Sequence, residues 1–186
     1  SPSGGMNLET VEPIYLGKTT PDFTMGWNNN FTYKNFGLSF LINARFGGVV
    51  TSSTQALLDR FGVSKASADA RDAGGVMIPN QGLYDAKKYY TLVATGENDL
   101  AGYYTYSATN VRLQELTLSY KFNSKLFNNV IKDLTLSFVA TNPWMIYCKA
   151  PFDPELTAST GTYGQGNDYF MQPSLKSYGF SVKFKF

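Results

Sequence analysis

The last eleven residues read Lys176-Ser-Tyr-Gly-Phe-Ser-Val-Lys-Phe-Lys-Phe186. In an extended chain, successive side chains point to opposite faces. Tyr178, Phe180, Val182, Phe184 and Phe186 therefore share one face, and Ser177, Gly179, Ser181, Lys183 and Lys185 the other. Such a strand suits two solvents. It fits a soluble sheet half buried against a core, and it fits a barrel wall with lipid outside and water within.

The same alternation recurs upstream. Phe23, Met25, Trp27, Phe31 and Tyr33 face opposite Thr24, Gly26, Asn28, Asn30 and Thr32. A tight connection at Lys34-Asn35 leads to a second strand with Leu38, Phe40, Ile42, Ala44 and Phe46 on one side and Ser39, Asn43 and Arg45 on the other, a hairpin pattern. A third strand starts near Asn110 with Val111 and Leu113 in one phase, then continues with Leu116, Leu118, Tyr120 and Phe122 in the opposite phase. One extra residue near Gln114-Glu115, a β-bulge, reconciles the two. After a polar turn over 123–133, Leu134, Leu136, Phe138 and Ala140 alternate with Thr135, Ser137 and Thr141. Pro143 predicts a bulge or a strand margin before Trp144, Met145, Ile146 and Tyr147.

Between these strands lie two long interruptions, about 51–107 and about 149–175. The first exceeds the usual connection in a compact domain, so it is a functional loop or a small subdomain. Residues Thr54 to Phe61 within it predict a short helix capped by Ser53 or Thr54, with Leu57, Leu58 and Phe61 on one side. The connections run short, very long, moderate, long. Outer-membrane barrels alternate brief periplasmic turns with extended external loops. With Phe186 on the periplasmic side, both long loops fall outside and both shorter turns inside.

Composition narrows the field. Of 186 residues, 16% are aromatic, including 13 Tyr and 14 Phe, and only 16% are charged, which is low for a soluble surface and in keeping with aromatic girdles. The net charge of +2 comes with scattered rather than clustered Lys and Arg, so nucleic-acid binding is not expected. No apolar run reaches about 18 residues, which removes a membrane-spanning helix and leaves a β-barrel open. One cysteine, Cys148, and no histidine give neither an internal disulfide nor a zinc ligand set. Neither a catalytic constellation nor a cofactor motif is found, and the carboxylates Glu115, Asp153, Glu155 and Asp168 are too ordinary as loop or strand acids to mark a glycosidase pair. We expect no enzyme and no cofactor. The amino end lacks the basic and apolar regions of a signal peptide, so the chain is expected to be mature or a piece of something longer.

Several segments together resemble the carboxy-terminal part of SusC/RagA-type TonB-dependent outer-membrane transporters. They are 17–27, 31–40, Thr109-Asn-Val-Arg-Leu-Gln-Glu-Leu-Thr-Leu-Ser-Tyr120, Ala150-Pro-Phe-Asp-Pro-Glu155 and 177–186. The resemblance spans nearly the whole chain. It implies an all-β fold of antiparallel up-and-down strands forming part of a large transmembrane β-barrel: about five carboxy-terminal strands with two long external loops. It further implies import of glycans or oligopeptides with TonB-derived energy, a SusD-like surface lipoprotein as partner, and the outer membrane of a Gram-negative, Bacteroidetes-like cell. About five strands cannot close a barrel, for which about eight are needed, so residues 1–186 are expected to be one segment, without the plug or the part that meets TonB.

Candidate residues follow. Phe23, Met25, Trp27, Phe31, Leu38, Phe40, Ile42, Leu116, Leu118, Leu134, Leu136 and Phe138 are expected to face outer-membrane lipid. Tyr178, Phe180, Val182, Phe184 and Phe186 resemble the signal read by the barrel-assembly machinery; as a plain alternative they are one more lipid-facing strand. Tyr84, Tyr89, Tyr90, Tyr163 and Tyr169 either stack on sugar or peptide ligands or a partner, or pack the loops together. Tyr103, Tyr104 and Tyr106 are expected to pack. Asp153, Glu155 and Asp168 lack the calcium-loop spacing and are expected to be solvated. Arg45, Arg112, Lys121, Lys183 and Lys185 either line a lumen, contact a plug, or are merely solvated. The rival expectation is a soluble or surface-attached β-sandwich that binds carbohydrate through loop tyrosines. It requires about seven strands with turns every 8 to 12 residues or so, and the two long loops leave little room for them.

Overall fold

A computed structural model describes residues 12–94, 100–123, 133–156 and 164–185. They fall into two compact units, each interrupted in sequence. One comprises residues 1–19, 49–107 and 156–171, the other residues 20–48, 108–155 and 172–186.

The second unit is a five-stranded antiparallel sheet. Its strands are β1 (Phe23–Tyr33), β2 (Phe36–Phe46), β7 (Asn110–Phe122), β8 (Asp133–Cys148) and β10 (Ser177–Lys185), in the spatial order β1-β2-β7-β8-β10. Within the sheet each strand lies beside the next in sequence, which is the up-and-down arrangement expected. The β1–β2 turn is the two residues Lys34-Asn35, with Lys34 in the left-handed region at φ 52°. The β7–β8 connection lies outside the described residues. Both long connections, β2 to β7 and β8 to β10, join strand ends opposite that turn. A two-sheet sandwich is not what these strands build.

Register aligns the alternation across all five strands. Phe31, Leu38, Leu118, Phe138 and Phe180 form one continuous rung, and Tyr33, Phe36, Tyr120, Leu136 and Val182 another. Between them runs a rung of Thr32, Gly37, Ser119, Ser137 and Ser181. A one-residue slip in any strand would send its whole apolar set to the other face. The phase change inside β7 is absorbed as the sequence predicts: Leu41 pairs with Glu115 and Ile42 with Leu113, leaving Gln114 as the extra residue. Opposite it, β8 bulges at Asn142-Pro143, with Asn142 at φ 49°. Proline, which has no N–H for the ladder, sits where the ladder is already broken.

After β2 the backbone turns through Gly47 and Gly48, at φ 78° and 82°. A Cβ on Gly47 would also collide with the Asp22 carboxylate. Gly47→Ala is therefore expected to cost about 1–3 kcal/mol, read as a lowered midpoint of unfolding; an unchanged midpoint would mean that this turn is free to relax.

The first unit holds β3 (Val49–Ser52), α1 (Ser53–Arg60), α2 (Lys65–Asp72), the hairpin β4 (Val76–Ile78) and β5 (Gly82–Tyr84), α3 (Ala86–Ala94), a 3-10 turn (Leu100–Tyr104), β6 (Thr105–Ser107) and β9 (Asn167–Asp168). β3 pairs antiparallel with β6 and parallel with β9. The stretch 51–107 is thus largely a subdomain with its own core, in which Val50, Ala86, Tyr90, Val93 and Tyr104 are buried. The predicted helix exists one residue early. Its cap is Ser52, whose hydroxyl accepts from the Gln55 amide at 3.0 Å, rather than Ser53 or Thr54. Phe61 lies beyond the helix end and is exposed rather than packed with Leu57 and Leu58.

Candidate functional site

The sheet buries almost nothing large. The buried apolar residues of its strands are the alanines Ala44 and Ala140, with Ala108 and Ala150 buried just beyond strand ends, whereas Phe23, Met25, Trp27, Phe31, Leu118, Leu136, Phe180, Val182 and Phe184 are exposed. A soluble protein seldom leaves so wide an apolar face open. A hollow of about 670 Å³ runs over the rungs nearest the short turn, bordered by Phe31, Leu38, Leu118, Phe138 and Phe180.

Aromatic rings gather toward both ends of this face. Near the short turn, Phe36 and Tyr120 pack at 4.7 Å between ring centroids, Tyr120 and Phe122 at 4.8 Å, and the Lys34 ammonium lies 5.4 Å from the Tyr33 ring centre. Toward the other end Phe23 stacks on Phe46 at 4.7 Å, and Trp27, Trp144 and Tyr147 are exposed. The rungs Tyr33–Phe36 and Phe23–Phe46 lie ten residues apart along each strand. At about 3.4 Å per residue and a tilt of about 40°, that spans about 26 Å, close to the apolar band of about 25 Å on an outer-membrane barrel. Counted from the Tyr33–Phe36 rung, Phe40–Leu116 lies four residues along, near mid-height, and Leu38–Leu118–Phe138 two residues along, closer to the short turn. All twelve residues expected to face lipid lie on this one face by register.

The opposite face carries small and polar side chains, and at its far end an anchor. Arg112, 5% exposed on β7, donates through Nη2 to Asp153 Oδ1 at 2.7 Å and through Nη1 to Oδ2 at 3.4 Å. Asp153 Oδ2 also accepts from the Ser174 hydroxyl at 2.6 Å, and Oδ1 from the Glu155 amide at 3.1 Å. Glu155 adds a second carboxylate 3.3 Å from Arg112 Nη2. Burial pushes the Asp153 carboxyl up, but the bonds from Arg112, Ser174 and the Glu155 amide outweigh it and hold its pKa below the ordinary value. One guanidinium thereby ties both ends of the last long connection to the sheet.

Asp153 is thus not the solvated loop acid expected, nor is Asp168, 5% exposed, whose Oδ2 accepts from the Ser52 hydroxyl at 2.8 Å. A carboxylate can be buried when it has such donors, and a sequence separation of 41 residues conceals the Arg112 partnership from any spacing argument. Lys121 pairs with Asp133 at 2.8 Å, both partly exposed, while Lys183 and Lys185 are exposed. No cluster able to hold a metal ion occurs among the described residues.

Among the described residues the candidate tyrosines do not form one binding platform. Tyr89 packs against Tyr90 at 5.2 Å and Tyr103 at 6.4 Å, Tyr103 against Tyr104 at 4.9 Å. Tyr90 is only 7% exposed and Tyr84 is half-buried in the β4–β5 hairpin. The Tyr104 hydroxyl donates to Asp59 Oδ2 at 3.1 Å, and Gln55 donates to Oδ1 at 2.8 Å. Burial first, then the Asp59 charge, pushes the Tyr104 hydroxyl well above its usual range, so it stays a donor. Tyr104→Phe is expected to cost about 1.5–3 kcal/mol, the worth of a hydrogen bond to a charged group. Unfolding of the purified protein measures it, and a loss near zero would show that water replaces the hydroxyl. Tyr169 is exposed beside Phe170, which is held at φ 49°. Tyr163 and Phe186 lie outside the described residues.

No family model matches the chain. TonB-dependent receptor P3 of Formosa agariphila is 25% identical to it over 98% of its length, and TonB-dependent receptor P39 of the same organism 28% identical over 92%. Its relatives are TonB-dependent receptors. The chain spans 18% and 17% of the lengths of those two. Among solved structures it is similar to the RagAB peptide importer in its open-open state, with TM-score 0.64, 18% identity, and coverage of 90% of this chain and 17% of the other. The closed-closed state gives TM-score 0.62 over 88% of the chain. The antiparallel sheet matches the barrel segment of these neighbours, and the outer membrane is its location, as for TonB-dependent receptors generally. In a barrel wall of that kind large apolar residues need no protein core, because lipid covers them.

Proposed function

We propose that this chain supplies the last strands of the barrel of a TonB-dependent transporter that imports glycans or oligopeptides, with a SusD-like surface lipoprotein seated on its external side and energy delivered by TonB. The observation that carries the reading is the alignment of five strands into one exposed apolar face, banded by aromatics, with a polar face behind it. Similarity to receptors of that name and to a peptide importer supports the transport role; neither name is that of an enzyme. Arg45 and the Ser and Thr rungs then line the lumen, and the subdomain between β2 and β7 belongs to the external side.

Among the described residues β10, like β1, is an edge strand of the sheet, and Tyr178, Phe180, Val182 and Phe184 are all more than half exposed. An edge with unpaired backbone groups and evenly spaced aromatics suits strand addition to another sheet, which supports its role as the signal for the barrel-assembly machinery. Phe180→Ser with Phe184→Ser is expected to leave most of the protein unassembled, seen as loss of the heat-modifiable band on gels; normal assembly would reduce β10 to an ordinary wall strand. The wider reading is tested by isolating the native protein from detergent-solubilised outer membrane. A polypeptide several times longer than this chain, recovered with a lipoprotein and inactive in uptake without TonB, is expected. A soluble polypeptide of about this size would contradict it.

A further inference from the structure

The first unit contains a cavity of about 140 Å³ where α1, α2 and α3 meet. At about 30 Å³ per water it holds about five waters, enough for a small acid with two or three carbons. Its floor includes Asp59, Ser67 and Tyr90, all buried, and its rim carries Arg60, Arg71 and Lys87, all exposed. Arg60 and Arg71 sit in the last turns of α1 and α2, where a cation suits the helix dipole, and Lys87 of α3 brings a third cation to the same rim. Arg71 gives Nη1 to the Gly62 carbonyl at 2.7 Å and keeps its other N–H groups. The Arg60 and Lys87 side chains make no hydrogen bond or ion pair among the described residues.

We propose that this cavity binds a small carboxylate bearing a hydrogen-bond donor on the adjacent carbon, as in a hydroxy acid or an amino-acid terminus. The three rim cations attract the carboxylate, and one floor acid leaves them in excess. Asp59 already accepts from Gln55 and Tyr104, yet a carboxylate has room for about four hydrogen bonds. Its remaining lone pairs meet the ligand's donor and disfavour a bare polyanion such as sulfate. Phe61 and Tyr90, also lining the cavity, give the ligand's carbon chain apolar contact. The inference concerns the first unit alone and stands whether or not the sheet is a barrel wall.

Saturation-transfer NMR of the native protein carrying this chain, with lactate as probe and the uncharged lactamide as its partner, tests it. Lactate is expected to receive saturation and lactamide far less. Arg60→Gln with Lys87→Gln, which removes no bond of the fold, is expected to raise the lactate Kd about five- to tenfold, as for loss of two exposed ion pairs. Equal signals from lactate and lactamide, or a Kd unmoved in the double variant, would overturn the proposal. Should the variant fail to fold, salt decides on the unmodified protein. At about 1 M, where screening acts within about 3 Å, the lactate signal is expected to collapse, and its persistence would overturn the proposal too.

Discussion

Replacing Arg112 with methionine should destabilise the protein by about 3–5 kcal/mol, because it strands a buried carboxylate rather than removing one attraction. Asp153 and Arg112 side chains are 7% and 6% exposed, so water is poorly placed to take over. Asp153→Asn should cost less, since the amide oxygen still accepts from the Glu155 N–H and the amide NH2 can donate to the Ser174 hydroxyl; Glu155→Gln should cost less again, because Glu155 is 30% exposed and its link to Arg112 is longer. Changing both buried partners to apolar residues should recover part of the single-variant loss, since a buried pair is costly to break but less costly to replace whole. Urea unfolding of the native protein in lipid vesicles gives the order. A near-zero effect of Arg112→Met would mean that the last connection is held by something else.

The same pair predicts a dependence on pH. The folded pKa of Asp153 lies below its ordinary value, so its contribution is fully present above the unfolded pKa of about 3.9 and is lost as pH falls through the folded value. Amide protection at Glu155 and Ser174, whose N–H groups bond to Asp153, should therefore hold at pH 6 and fall in strong acid. Protection that stays level through the acid range would contradict the role given to the carboxylate.

Phe40→Arg should cost about 2–4 kcal/mol, the penalty for a cation at mid-membrane depth on the lipid side of a barrel, and should lower the yield of assembled protein. Ser39→Arg, one residue earlier on the same strand, should be far better tolerated. Phe40 pairs with Leu116 on the apolar face, Ser39 with Thr117 on the polar one. Composition and secondary structure treat these adjacent residues alike; the face each occupies separates them. Heat-modifiable migration and the unfolding midpoint measure the difference, and equal tolerance of both variants would remove the lipid-facing assignment.

Much of the sheet was legible in sequence because a strand's side-chain period is two, so solvent exposure is written residue by residue. The strands, the tight turn at Lys34-Asn35 and the bulge at Gln114 follow from that period, since an extra residue is the simplest way to reconcile Leu113 with Leu116. Pro143, lacking an N–H, marked either a bulge or a strand margin, and the register makes it a bulge. The inserted subdomain was less legible. Its helices are eight or nine residues long, too short for a clear periodic signal, and their caps depend on which serine meets an amide. The Arg112–Asp153 anchor was not legible as a pair, although both residues lie in the segments that carry the family resemblance. A charged residue in a strand looks alike in sequence whether it meets lumen water or a distant carboxylate. The cavity ringed by Arg60, Arg71 and Lys87 joins three helices, and no linear spacing encodes it.

The central claim is that the two faces of this sheet meet lipid and water. Nitroxide labels placed singly at Leu118 and Ser119 in the native protein, with Cys148 changed to serine and the protein in bilayers, test it most directly. The account predicts high collision rates with oxygen and low rates with a water-soluble nickel chelate at residue 118, and the reverse balance at residue 119. Similar access to the chelate at both positions would contradict it.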